Sequence, residues 1–328
     1  MRYFLSIGKQ VMDPTLAAFD RFLRNISPKP DELARANEHV RLVRDRINQT
    51  MPFLDNLGKP NQAERFPDNP HIWIDENALI RASVWVLGKS IIGSAARQTQ
   101  LSPIEDVDIL LILQCTSPII LNSWTPAGLL KNLSNTLAGI GTKLVTWEGE
   151  CVTVKFANAP YCDVFPAFNF ANQRHLLFPK RGNQWYRGDP TILDGVVKTT
   201  DQVFNGRLRP FIKLLKYWNK LHSVGLKTFH LETLAVRELK QSGSLPAALH
   251  SFFLHGKQSG RAFLTIPSLD GAVEDMSQYL TSISSQEITK KIRVAEKFCR
   301  SALDAYGRND SASAMTAYRL LFGLNFGE

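Results

Sequence analysis

The stretch from Gly93 to Asp108 restricts the fold of this chain more than any other part of its sequence. It starts with a Gly93-Ser94 pair, and the first of two carboxylates, Asp106 and Asp108, follows twelve residues after Ser94, directly before an apolar run. Because residues i and i+2 of a strand share one face, we expect the two acids to converge at the start of a buried strand. Carboxylate oxygens suit hard divalent ions such as Mg²⁺, so this arrangement is typical of phosphoryl- and nucleotidyl-transfer sites.

Each part of this pattern has a simpler explanation when it is taken alone. A single Asp-x-Asp sequence is usually a solvated loop or a helix cap, and a Gly-Ser turn is less specific still. Their combination in this order, with an apolar strand behind the acids, is much more specific. Gly88-Lys89-Ser90 also resembles the end of a phosphate-binding P-loop, but Ser83 stands where that motif requires its first glycine. We therefore reject the P-loop alternative.

A third acid, Asp163, lies inside another apolar run, residues 161–167. An ionised carboxylate in such a strand is unfavourable unless it is paired or bound to a metal. Asp163 could be an edge or turn residue with local hydrogen bonds. We favour a third metal-binding carboxylate, because Asp106 and Asp108 already occupy a strand upstream.

These motifs resemble the signature of the DNA polymerase β-like nucleotidyltransferase superfamily. The positions that carry the resemblance are Gly93-Ser94, Arg97, Thr99, Pro103, Asp106-Val107-Asp108 and the third-acid string Asp163-Val164-Phe165-Pro166-Ala167. Within the superfamily the chain is similar to the bacterial cGAS/DncV-like nucleotidyltransferases (CD-NTases), which make cyclic oligonucleotide signals in anti-phage defence of the CBASS type. These enzymes often have Gly where this chain has Gln98, so we expect a less permissive loop backbone here.

The resemblance continues over residues 206–219 and 229–234, which are similar to the helix that leads into the C-terminal lobe of the family and to its Phe-His-Leu-Glu segment. Lys213 and Lys216 share one face of that helix by their spacing. Lysines on a helix usually form only a solvated face. The resemblance makes both of them candidates to hold a triphosphate, and the sequence does not decide which one reaches it.

The resemblance implies an α+β fold, namely a polymerase β-like nucleotidyltransferase core, which is a mixed sheet flanked by helices, with a C-terminal helical lobe and an active site in the cleft between them. We expect residues 1–200 to form the core with its N-terminal helices and residues 201–328 to form the helical lobe. The local pattern also predicts an irregular stretch over about 51–75, a basic loop over 179–190, and a capping box at Ser284 and Glu287.

The activity implied by the resemblance is a Mg²⁺-dependent transfer that joins ribonucleoside triphosphates into a cyclic di- or oligonucleotide and releases pyrophosphate. Two Mg²⁺ ions are expected, with Mn²⁺ able to substitute, and regulatory proteins of the same defence system are candidate partners. The implied roles are catalysis and metal binding for Asp106, Asp108 and Asp163, nucleotide binding for Gly93, Ser94, Lys213 and Lys216, and support of the loop for Arg97 and Thr99. The alternatives are transfer to an RNA, protein or small-molecule acceptor, and an inactive nucleotide-binding module. The sequence does not indicate which bases would be used.

Composition is consistent with an ordinary globular enzyme. The 328 residues suffice for one two-lobed enzyme or two small domains, and 44% are hydrophobic and 21% charged. No apolar run is long enough to span a membrane, and the cysteines form no Cys-x-x-Cys pair, so we expect a cytoplasmic protein with reduced thiols. The net charge of +9 fits a triphosphate pocket as well as nucleic acid, which leaves nucleic-acid binding open.

Overall fold

A computed structural model describes residues 14–50, 84–115, 124–140, 144–170, 176–180, 183–239, 244–267, 269 and 275–328. These residues form two compact units. We call residues 28–199, with 269, the sheet unit, and the remaining described residues the helical unit. The irregular stretch predicted over about 51–75 lies outside the described residues.

In the described residues, two helices precede the strands, two further helices lie between strands, and helices follow the last strand. The strands are β1 (Val84–Ile91), β2 (Asp106–Cys115), β3 (Leu144–Glu148), β4 (Cys151–Lys155), β5 (Tyr161–Phe170), β6 (Leu176–Lys180) and β7 (Gln184–Gly188). The helices are α1 (Pro14–Ile26), α2 (Pro30–Thr50), α3 (Gly93–Arg97), α4 (Pro126–Leu137), α5 (Ile192–Val203), α6 (Leu208–Leu221), α7 (Thr228–Glu238), α8 (Leu245–Ser259), α9 (Arg261–Leu264), α10 (Ser282–Gly307) and α11 (Ser311–Phe322).

The sheet unit is organised around two long parallel strands. Its seven-stranded sheet has the order β1-β2-β5-β4-β3, with β6 paired to β5 and β7 paired to β6. β2 and β5 are parallel over their whole length, and the other pairs are antiparallel. Ile109, Leu110 and Leu111 are fully buried, as expected for a central strand that is covered on both faces. The predicted mixed sheet is confirmed.

The two faces of the sheet are packed differently. One face carries Val107, Ile109 and Leu111 and forms a large core with the apolar stripes of α2 and α4. The other face has a smaller cluster that includes Leu110 and Ala167. Because side chains alternate along a strand, Asp106 and Asp108 lie on the face of Leu110, away from the large core. The large core therefore holds β2 rigidly while the acids are directed to the opposite side.

The helical unit has its own core, in which buried aromatic rings join aliphatic side chains. Phe19 of α1 makes an edge-to-face contact with Tyr318 of α11 at 4.8 Å between ring centroids. Phe22 contacts Tyr217 of α6 at 5.0 Å. Such pairs contribute about 0.5–1.5 kcal/mol beyond the area they bury. In the described residues, no helix of this unit or of the sheet unit is both long and apolar enough to cross a membrane.

The predicted basic loop over 179–190 is wrong. Residues 184–188 form β7, which pairs antiparallel with β6 through Pro179 opposite Trp185 and Lys180 opposite Gln184. Trp185 packs edge-to-face on Phe168 at 5.7 Å, so one side of this short hairpin is apolar. The alternation of apolar and polar side chains along β7 extends over only five positions. The charged residues around it therefore make the segment look like a loop.

The predicted capping box is also wrong. α10 begins three residues earlier than expected, and its N-cap is Thr281, whose side chain accepts a hydrogen bond from the Ser284 amide at 3.0 Å. Glu287 does not reach back to the helix start but pairs with Lys290 at 2.6 Å. Two overlapping Ser/Thr positions can cap this helix, and the structure uses the first one.

Candidate active site

The three predicted acids are brought together by the register of two parallel strands. Asp108 of β2 is directly opposite Asp163 of β5, and Asp106 lies two residues before Asp108 on the same face. One carboxylate oxygen from each of the three lies within 4.8 Å of the others. All three side chains are half-buried. The sheet thus assembles the cluster from two segments more than fifty residues apart in the chain.

The donor set of this cluster fits a divalent cation. Three carboxylates so close together repel one another unless positive charge compensates them. The ligands are all oxygens, which Mg²⁺ and Mn²⁺ prefer over the softer metals bound by thiolates. The residues present can therefore hold a hard divalent metal ion, with Asp106, Asp108 and Asp163 as ligands.

Burial shifts the pKa of Asp163 and of two nearby thiols. Burial raises the pKa of Asp163, while the hydrogen bond from Thr153 and the charge of Lys155 act in the opposite direction. Burial, reinforced by the Asp163 charge, raises the pKa of Cys151 and of Cys162 to about 12. In the absence of metal, the raised pKa favours the protonated form of both thiols at neutral pH.

The backbone of the Gly93-Ser94 turn lies so close to the Asp108 carboxylate that a side chain at Gly93 would not fit. The Ile92 amide donates to the Asp108 carbonyl at 3.0 Å, and the chain then turns at Gly93, whose φ is +71°. A Cβ placed on Gly93 would lie 2.0 Å from Asp108 Oδ2. Glycine is therefore required both by the backbone conformation and by the contact with the carboxylate.

The residues predicted to support the loop make contacts consistent with that prediction. The amide of Thr99, which is fully buried, donates to the Ser94 carbonyl at 2.9 Å. Arg97 is 6% exposed and donates from Nη1 to Asp194 Oδ1 of α5 at 2.5 Å. The first bond closes the α3 turn on itself, and the second ties the C-terminal end of α3 to α5, so Ser94 lies in a restrained turn.

Gln98 adopts a left-handed backbone conformation, which only glycine adopts without strain. Its φ is 60° and its ψ is 35°, in the left-handed region, where it ends α3 and donates its amide to the Ala95 and Ser94 carbonyls. A residue with a Cβ is disfavoured there by about 1–2 kcal/mol. The less permissive backbone expected for this loop is therefore found at Gln98.

We expect Gln98→Gly to raise the free energy of unfolding by about 0.5–1 kcal/mol, because relief of the left-handed strain exceeds the added entropy of the unfolded chain. Urea unfolding would measure this change. Gln286→Gly, at an exposed position inside α10, is the matched control and should instead lower stability by about 1 kcal/mol. A loss of stability in Gln98→Gly equal to that of the control would contradict the strain at Gln98.

The two predicted lysines lie in the helical unit, on α6, and their surroundings differ. Lys216 pairs with Glu232 at 3.5 Å, and that carboxylate is fully buried. Lys213 Nζ donates to Ser27 Oγ at 3.0 Å. Burial, together with the charges of Lys216 and Arg209, lowers the pKa of Lys213. The role of either lysine in binding a triphosphate stays a prediction.

Two residues of the site are not indicated by the sequence. Thr153 of β4 donates to Asp163 Oδ1 at 2.5 Å, and Asp194 holds Arg97. A threonine in a β-strand is unremarkable, and a single acid near a helix start is usually an exposed end residue. Both contacts depend on strand register and helix packing, which no local signal reveals.

Comparison with known proteins identifies the fold. No family model matches the chain. A protein of Bacillus cereus (strain VD146) that is named a probable cyclic nucleotide synthase is 23% identical over 209 residues, which is 52% of this chain. The match spans 63% of the length of that relative.

Solved structures extend the likeness over nearly the whole chain. The Vibrio cholerae DncV cyclic AMP-GMP synthase, in complex with nonhydrolyzable GTP, aligns with a TM-score of 0.72 and 14% identity over 96% of each chain. The Escherichia coli MS115-1 CdnC:HORMA-deltaN complex aligns with a TM-score of 0.70 and 15% identity over 95% of this chain and 98% of that chain. The protein therefore has the fold of the cGAS/DncV-like nucleotidyltransferases, with a helical C-terminal region. The resemblance predicted from the sequence is confirmed.

Proposed function

We propose that this protein is a metal-dependent nucleotidyltransferase that joins ribonucleoside triphosphates into a cyclic di- or oligonucleotide signal and releases pyrophosphate, in anti-phage defence. The observation that carries the proposal is the cluster of Asp106, Asp108 and Asp163, with oxygens within 4.8 Å of one another, beside a glycine turn that touches Asp108. The similarity to a probable cyclic nucleotide synthase and to DncV supports this function over other nucleotidyl transfers.

The acids would hold two Mg²⁺ ions, or Mn²⁺ in their place. When bound, such ions stabilise the negative charge that develops on the phosphoryl oxygens. Asp163 would take the proton of the attacking ribose hydroxyl on a carboxylate oxygen. The hydroxyl oxygen then bonds to the α-phosphorus, the bond to the bridging oxygen breaks, and pyrophosphate leaves. A second transfer of the same kind within the linear product would close the ring.

The Gly93-Ser94 turn would bind the β- and γ-phosphates through its backbone amides and the Ser94 hydroxyl. Its restraint by Thr99 and Arg97 supports this role, because preorganised donors lose little entropy when a ligand binds. Regulation by a second protein is part of the proposal, and the structure of the Escherichia coli CdnC:HORMA-deltaN complex gives it a precedent. The bases that are joined stay undetermined.

Of the two candidate lysines, we propose Lys213 as the one that neutralises the triphosphate. The ammonium group of Lys216 already faces the buried Glu232 carboxylate. Lys213 donates to the neutral Ser27 hydroxyl and is repelled by Lys216 and Arg209, so an anion would be favoured beside it.

Lys213→Met is expected to raise the KM for the triphosphate about tenfold or more, without loss of stability, because one charge-assisted contact is removed. Lys216→Met should instead lower the free energy of unfolding by about 3 kcal/mol, because the buried Glu232 carboxylate loses its ammonium partner. Steady-state kinetics and urea unfolding of the two variants measure both effects. An unchanged KM in Lys213→Met would remove this lysine from the site.

The proposed function is tested by incubating the purified protein with Mg²⁺ or Mn²⁺ and all four ribonucleoside triphosphates, one of them radiolabelled at the α-phosphate. We expect a phosphatase-resistant labelled product that an Asp106→Ala/Asp108→Ala variant does not form. Omission of one nucleotide at a time would identify the bases. Transfer of the label to RNA, protein or small molecules added in a parallel reaction, in place of that product, would favour a different acceptor. Failure to bind a nonhydrolysable triphosphate with metal would favour an inactive fold.

A further inference from the structure

A row of directly opposed residues crosses the sheet at the acids. Asp108 of β2 faces Asp163 of β5, Asp163 faces Thr153 of β4, and Thr153 faces Thr146 of β3. Within this row, Thr153 Oγ1 donates to Asp163 Oδ1 at 2.5 Å. That distance is typical of a charge-assisted O–H···O⁻ bond, which is about twice as strong as a neutral one.

The orientation of an aspartate carboxylate is not fixed by its own torsions. The last torsion of Asp is broad, so the carboxylate plane rotates easily unless a partner holds it. Repulsion from Asp106 and Asp108, whose oxygens lie within 4.8 Å, favours rotation of Asp163 away from the cluster. Thr153 is suited to oppose this rotation, because its own first torsion is restricted by β-branching and its strand is paired on both sides.

We propose that Thr153 is a positioning residue of the metal centre: its hydroxyl holds Asp163 in the orientation in which the three carboxylates bind a divalent cation together. Thr153 itself is not a ligand. The inference rests on the proposed metal-dependent function and adds to it a residue that sets metal affinity from outside the ligand set. Partners of this kind typically change metal affinity or activity by about 10- to 100-fold when they are removed.

A purely structural role predicts a different outcome. If the hydroxyl only satisfied a half-buried carboxylate, its loss would lower stability and leave metal affinity unchanged. Metal affinity, measured without nucleotide and without turnover, therefore separates the two roles.

The experiment titrates the full-length protein with Mn²⁺ and measures free Mn²⁺ by electron paramagnetic resonance. We expect Thr153→Val, which keeps the shape and removes the hydroxyl, to weaken Mn²⁺ binding about 10- to 100-fold, and Thr153→Ser, which keeps the hydroxyl, to bind close to the wild-type affinity. Thr146→Val is the matched control, since it makes the same change one strand further from Asp163. It should leave the affinity unchanged. Circular dichroism and thermal unfolding confirm that each variant is folded.

A double-mutant cycle makes the assignment specific to the contact. In an Asp163→Asn background, Thr153→Val should cause little further loss of Mn²⁺ affinity, because the carboxylate it orients is already gone. Wild-type affinity in Thr153→Val, or equal losses in both backgrounds, would overturn the proposal. Absence of Mn²⁺ binding that depends on Asp108 would overturn it too. Weakened binding in Thr153→Val, together with nucleotidyl transfer by the wild type to an RNA, protein or small-molecule acceptor in place of a cyclic product, would support the positioning role and reject the proposed function.

Discussion

Asp108→Asn is expected to lower turnover by about a thousandfold or more while the protein stays fully folded. The amide keeps the shape of the side chain, but it removes one negative charge and replaces one oxygen donor in a cluster whose oxygens lie within 4.8 Å of one another. Loss of a preorganised electrostatic contact of this kind typically lowers kcat by two to three orders of magnitude, and a metal ligand contributes at least as much. Initial rates at saturating Mg²⁺ and triphosphate measure the effect.

The same variant should be at least as stable as the wild type in the absence of metal. Removing one of three mutually repelling carboxylates relieves repulsion, so urea unfolding without Mg²⁺ should show an equal or higher free energy of unfolding. Glu105→Gln is the matched control, because Glu105 is an exposed acid directly before Asp106. Its turnover should remain close to wild type. Wild-type turnover in Asp108→Asn would reject the metal assignment of this residue.

Local periodicity predicts the acids of β2 well but not the residues that surround them. The spacing of Asp106 and Asp108 on a strand places both on one face, whatever the rest of the fold is. Asp163 is recognisable as an unfavourable charge in an apolar strand. Its position opposite Asp108 depends on the parallel pairing of β2 with β5, which the sequence does not determine without the family resemblance. Thr153 requires one further strand register and leaves no local signal.

The lysines of α6 illustrate the same limit in a helix. The spacing of Lys213 and Lys216 correctly places them on one face. Their different environments come from Ser27, which is 186 residues before Lys213 in the sequence, and from Glu232 on the next helix. A helical pattern gives the direction of a side chain, but the charge and burial of its partners are properties of the packed unit. The same limit applies to β7, which the sequence predicts as a basic loop. The apolar contact of Trp185 is with Phe168 of β5, and local sequence does not reveal it.

Gly93 shows how sequence and structure combine at one position. The sequence predicts a phosphate-binding turn at Gly93, and the structure adds that its φ of +71° is unfavourable for any residue with a side chain. It also gives the reason for the close approach: the Cβ of any other residue would lie 2.0 Å from Asp108 Oδ2. Either the backbone or the Asp108 carboxylate must therefore move when Gly93 is replaced, because the added Cβ would overlap that carboxylate.

Gly93→Ala is expected to lower kcat/KM by about a hundredfold or more, because the displaced Asp108 carboxylate no longer joins the other two acids and a small displacement at a reacting centre has an effect of this size. The left-handed strain should lower the free energy of unfolding by a further 1–2 kcal/mol or so. Gly88→Ala is the matched control: Gly88 lies in β1, and a Cβ there would meet nothing within 4 Å. It should keep wild-type kinetics.

Mn²⁺ titration separates the two effects of Gly93→Ala, because a displaced carboxylate weakens metal binding, whereas backbone strain alone leaves metal binding intact. Wild-type Mn²⁺ affinity in Gly93→Ala would show that the carboxylate moves aside without leaving the cluster, and would contradict the steric role assigned to this glycine.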